Sequence, residues 1–133
     1  MIKAIEEKFV KNYVLIEHQK RLFYELCNKK KRNDAIRAIS YRLDERFIVL
    51  KERHISDLKM KSMIKSFTEQ IAQVYIISDF LNDGVIMDFE LIYDSVMKNG
   101  GTSILIFEDI VFLKDEMEYT PLKYIVKRKR DGL

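Results

Sequence analysis

The first 83 residues contain neither glycine nor proline; the first glycine is Gly84 and the single proline is Pro121. Those two residues are the commonest interrupters of regular backbone, glycine through its conformational freedom and proline through its fixed φ and missing N–H. A stretch of that length without them is expected to run as long, lightly broken helices. At 133 residues the chain fits one domain, 1–133, with enough length to bury a single core.

The apolar spacing extends this reading. Ile2, Ile5, Phe9, Ile16, Phe23 and Leu26 recur at intervals that place them on one face of a helix over residues 2–28, with Asn12 and Gln19 as polar interruptions. Lys29-Lys30-Lys31-Arg32-Asn33 breaks the pattern, its cations complementing the negative end of the helix dipole. Asn33 or Asp34 can cap a second helix over 34–54, whose face carries Ile36, Ile39, Leu43, Phe47, Leu50 and His54. Phe47-Ile48-Val49-Leu50 alone could pass for a buried strand, but the longer periodicity favours helix. Ser56, followed by Asp57, is the next N-cap. Met60, Met63, Ile64, Phe67, Ile71, Val74, Ile77 and Leu81 then predict a third helix to about residue 82, with Gly84 suited to its left-handed end.

After Gly84 the pattern changes. Asp88 can cap a short fourth helix with Phe89, Ile92, Tyr93 and Val96 on one face, and Asn99-Gly100-Gly101 ends it. Residues 102–113 and 119–126 are rich in β-branched and aromatic side chains, separated by the polar Lys114–Glu118 stretch, and predict a hairpin. Glu108-Asp109 marks a bend within the first run, and Pro121 belongs on an edge or at a bulge. The expected fold is therefore α+β and mainly helical: three long antiparallel helices, a short fourth helix and a C-terminal β-hairpin. A winged-helix-like arrangement of the fourth helix and the hairpin is compatible with the same pattern.

Net charge is only +3, but the signs lie in blocks. Residues 1–66 hold seventeen Lys or Arg against nine acids, residues 67–118 two against eleven, and residues 119–133 five against one. Blocks of this kind point to electrostatic partners if folding keeps them apart. The basic candidates for phosphate contact are Lys29, Lys30, Lys31, Arg32, Arg37, Arg42 and Arg46, joined by the tail residues Lys127, Arg128, Lys129 and Arg130. The acidic candidates for a protein partner are Asp79, Asp83, Asp88, Glu90 and Asp94, within an acidic 79–118 face. That face could equally meet the basic block of a second copy and give a homodimer.

The chemistry-bearing motifs are sparse. There is no phosphate-binding glycine loop, no Gly-x-Ser-x-Gly elbow and no His-Glu-x-x-His helix. Gly100-Gly101 follows a helix, whereas phosphate cradles precede one. One cysteine (Cys27) and two distant histidines (His18 and His54) fall short of a structural zinc set, and no cofactor is expected. Asp79, Asp83, Asp88, Glu90, Asp94, Glu108 and Asp109 could supply oxygen ligands for Mg²⁺ in a nuclease, with Lys114 the only lysine near them on a predicted strand. The lone cysteine, the absence of a signal-like start and the lack of an eighteen-residue apolar run predict a cytoplasmic protein with no membrane contact. The expected function is a non-catalytic regulatory protein that binds nucleic acid or a nucleoprotein through its basic helices and tail. A protein-interaction or inhibitor module acting through the acidic face is the alternative, and a metal-dependent nuclease the third reading.

Overall fold

The computed structural model describes residues 2–69, 73–116 and 120–128. They form five α-helices: α1 (Ile2–Tyr13), α2 (Ile16–Leu26), α3 (Arg32–Arg37), α4 (Asp57–Phe67) and α5 (Phe89–Lys98). Among the described residues there are also six strands: β1 (Ile48–Glu52), β2 (Gln73–Ser78), β3 (Ile86–Asp88), β4 (Ser103–Ile106), β5 (Val111–Asp115) and β6 (Leu122–Val126). All the pairings are antiparallel, in the order β1-β6-β5-β4-β2-β3.

The expected fold of three long helices and a terminal hairpin is overturned. The helices are short, and a six-stranded sheet organises the chain. Successive strand side chains point to opposite faces, and here both faces are covered. Tyr75, Ile77, Ile104, Val111, Leu113, Tyr124 and Val126 pack with α1–α3 through Phe9, Leu22, Leu26 and Ile36. Val74, Ile76, Leu105, Phe112 and Ile125 pack on the other side with Met60 and Ile64 of α4 and Phe89, Ile92 and Tyr93 of α5. The result is three layers, helix–sheet–helix.

Double burial explains the misreading. A strand covered on both sides needs no polar alternation, so Val74-Tyr75-Ile76-Ile77 is apolar throughout and buried throughout. Its members also fall on the three- and four-residue spacing that continues from α4, which carried the predicted third helix through what is β2. Ile71, on the same predicted face, lies outside the described residues. The predicted second helix dissolves into α3, two 3-10 turns (Ile39–Arg42 and Glu45–Phe47) and β1. The predicted first helix bends at Val14-Leu15 without glycine or proline. There Leu15 N–H donates to the Arg42 carbonyl (2.9 Å), Asp44 N–H donates to the Tyr13 carbonyl (2.8 Å), and Val14 bridges Leu43. The side-chain amide of Gln19, one of the two polar interruptions of the predicted face, donates to the Val14 carbonyl at 2.9 Å. It thereby satisfies a group that the end of a helix leaves free.

Local signals fare better. Ser56 caps α4 by accepting the Lys59 N–H (3.1 Å), and Asp88 caps α5 by accepting the Glu90 N–H (2.9 Å). The predicted terminal hairpin is also overturned: its first run, 102–113, holds β4 and most of β5, which pair with each other, and β6 lies inside the sheet between β5 and β1. Pro121 sits just before β6, where no ladder N–H is needed. Gly101 has φ +90°, and a Cβ there would lie 2.7 Å from Asp79 Oδ1 and 2.9 Å from Phe80 Cβ. Only glycine lets the chain pass that close to the carboxylate.

Candidate functional site

Folding brings the opposite charge blocks together. Arg32, at the start of α3, donates from Nη1 and Nη2 to the two carboxylate oxygens of Glu6, both at 2.7 Å. It also grips Asp83 from Nε (2.7 Å) and Nη2 (2.9 Å), and bonds the Leu26 carbonyl through Nη1 (2.8 Å). The Asp83 and Glu6 carboxylates fix this guanidinium firmly in its charged form. Glu6 is buried and also accepts the Tyr75 hydroxyl at 2.5 Å. Burial, reinforced by Glu6, pushes that hydroxyl well above its ordinary value.

The other helical arginines are also tied. Arg37 Nε meets Asp79 Oδ2 at 2.8 Å, and its Nη1 meets Asp34 at 3.1 Å. Asp79 is nearly covered, its side chain 4% exposed, and also accepts the Thr102 N–H (2.8 Å). Arg42 Nη1 donates to Glu25 at 2.7 Å and holds that carboxyl below its usual range. Arg46 grips Asp44 with a closest approach of 2.6 Å, with the same effect on Asp44. Across the α4–α5 layer, Lys61 (2.5 Å) and Lys65 (2.9 Å) converge on Glu90 and lower its carboxyl.

The acidic candidates are therefore dispersed in role. Asp79, Asp83 and Glu90 are bound to cations and Asp88 is a helix cap, whereas Asp94 is exposed and makes no ion pair among the described residues. Among the described residues no three His, Cys, Asp or Glu side chains form a group able to hold a metal ion. Lys114 is a buried support for α5: its Nζ donates to the carbonyls of Val96 (2.8 Å) and Asn99, and burial lowers its pKa.

Of the basic candidates over residues 29–46, a lysine corner is left over; Lys8, Lys20, Arg53, Lys59 and Lys98 are also exposed and make no ion pair among the described residues. Lys29, Lys30 and Lys31 form the turn between α2 and α3, are exposed, and make no ion pair among the described residues. Asn28 Oδ1 accepts the Lys30 N–H (3.0 Å) and shapes the turn. Tyr24, one turn back on α2, is 59% exposed, with the Lys31 ammonium 5.5 Å from its ring centroid. Lys3 opens onto a small crevice beside Leu26 and Cys27 at the same end of α2. Of the tail candidates, Lys127 Nζ donates to the Phe67 carbonyl (2.9 Å). Arg128 donates to Asn12 Oδ1 (3.1 Å) and lies over the Phe47 ring. Lys129 and Arg130 lie outside the described residues.

A second feature had no signature in the sequence. A cleft of about 640 Å³ lies between the 3-10 turns and the β1–β6–β5 side of the sheet. Its walls include Leu15, Leu43, Ile48 and Leu122, and Ser40, Asp115 and Tyr124 also face it. Ser40 Oγ donates to Asp115 Oδ2 at 2.6 Å across 75 residues of sequence. Tyr41 stands 76% exposed at the rim, and the Lys51 ammonium lies 5.7 Å from the Tyr124 ring centroid. No protein-family model, no curated protein and no solved structure matches this chain.

Proposed function

We propose that this protein is a non-catalytic nucleic-acid-binding protein that holds a single-stranded phosphate backbone at the α2–α3 corner. The observation that carries this reading is the contrast within one basic stretch. Arg32, Arg37, Arg42 and Arg46 are consumed by carboxylates, while Lys29, Lys30 and Lys31 face solvent without one among the described residues. Unpaired ammonium groups on a turn can follow an irregular backbone and release its counterions on binding. Tyr24 supplies an exposed ring beside them, and bases stack on such rings with little sequence preference. A single strand therefore suits the corner better than the major groove of a duplex, which calls for a protruding helix or ribbon.

The test is a mobility shift with short single-stranded DNA and RNA. Binding should weaken steeply from low towards physiological salt, and at low salt it should be markedly weaker, though still measurable, when Lys29, Lys30 and Lys31 are all changed to Gln. Absence of binding at low salt, or undiminished binding by the triple variant, refutes the reading.

A further inference from the structure

We infer that the cleft beside Ser40 and Asp115 binds a small organic cation, an ammonium or amidinium group carried on an apolar body. The inference is independent of the lysine corner. The Asp115 carboxylate, at the end of β5, is 3% exposed yet faces the cleft. Among the described residues its hydrogen-bond partners are two neutral hydroxyls: Ser40 on Oδ2 at 2.6 Å and Thr102 on Oδ1 at 3.4 Å. Each carboxylate oxygen accepts more than one bond, so both retain capacity. Among the described residues no cation forms an ion pair with it, and the acids Asp79 and Glu116 add to the rise of its carboxyl. A buried carboxylate without a counter-charge is costly, and a cation from outside removes that cost. Burial accordingly pushes the Asp115 carboxyl up, only partly offset by the two hydroxyls.

The rest of the cleft fixes the ligand's body. Leu15, Leu43, Ile48 and Leu122 offer apolar walls, and Tyr124 and Tyr41 add aromatic surface. The volume suits a small molecule. The cations at the cleft do not serve Asp115. Arg46 is clasped by Asp44, and the Lys51 ammonium sits over the Tyr124 ring. Lys51 opposes entry of a cation, so removing it is expected to tighten binding, which a site built for anions would not do.

The probe is benzamidine, with benzamide as its neutral counterpart, titrated into the full chain with backbone amide resonances as readout. Benzamidine should give saturable shifts at Ser40, Tyr41, Asp115 and Leu122–Tyr124, and benzamide should bind about tenfold more weakly. Asp115→Asn, which keeps the shape and removes the charge, should weaken benzamidine by about tenfold or more. Lys51→Ala, at an exposed position where folding is not at stake, should tighten it about two- to threefold. No saturable shift, equal response to benzamide, shifts confined elsewhere, or weaker binding by Lys51→Ala overturns the inference.

Discussion

Lys29–Lys31 and the arginines that follow them in the same basic stretch meet opposite fates. Arg32 and Arg37 reach acids 51 and 42 residues away, Asp83 and Asp79, and Arg42 and Arg46 find Glu25 and Asp44. The three lysines, on the turn just before Arg32, face water. Residue type suits these fates. A guanidinium is a planar fork that matches a carboxylate pairwise and tolerates partial burial, whereas an ammonium is strongly hydrated. The block charge of a sequence segment thus says little about a surface patch. Long-range pairing decides which charges stay free to meet a partner.

The contrast can be broken most forcefully at Arg32. Arg32→Met leaves Glu6 buried without its cation and should cost about 3 kcal/mol or more, read as a lowered urea midpoint. A loss under about 1 kcal/mol would mean that the arginines are not structural. Gly101→Ala attacks the same system from the other side, because its Cβ would press on Asp79, the partner of Arg37. The φ of +90° adds backbone strain, and the expected loss is about 1–3 kcal/mol in thermal or urea unfolding.

Acid titration sharpens the comparison next. The carboxyls of Glu25, Asp44 and Glu90 are held below their unfolded values by Arg42, Arg46 and Lys61 respectively. The unfolded chain therefore takes up protons first. The stability these pairs contribute is complete above about pH 5 and is lost as pH falls through the depressed folded values. Urea midpoints measured from pH 7 to pH 3 should fall accordingly. The triple change of Lys29, Lys30 and Lys31 to Gln should trace the same profile, because those lysines hold no carboxylate among the described residues. At pH 7 it should leave stability within about 0.5 kcal/mol of the parent.

Features decided by near neighbours were legible in the sequence. Ser56 and Asp88 cap the helices they precede, and Phe89, Ile92, Tyr93 and Val96 form the buried face of α5. The β character of residues 102–126 was legible too, but the single hairpin expected there is three strands of a larger sheet. The sheet itself was hidden because β2, β5 and β6 are covered on both faces and lose the alternation that marks a strand. The β-branched run Val74, Ile76 and Ile77 was the warning the sequence offered. The bend at Val14-Leu15 depends on Arg42 and Asp44, which local spacing cannot report. For the candidate sites, the cations were visible but their partners were not. Ser40 and Asp115 meet only because the turn after α3 folds over the end of β5.

The most direct test is the salt dependence of single-strand affinity, measured by fluorescence anisotropy for the parent, the Lys29/Lys30/Lys31 triple Gln variant and Arg42→Gln. The slope of log affinity against log salt should shrink by about 2 for the triple variant, because each single-strand phosphate that a lysine neutralises adds about 0.7 to it. Arg42→Gln should leave the slope unchanged, since that cation is already paired with Glu25. Equal reductions in both variants, or an unchanged slope in the triple variant, would contradict the division of the basic stretch into paired arginines and free lysines.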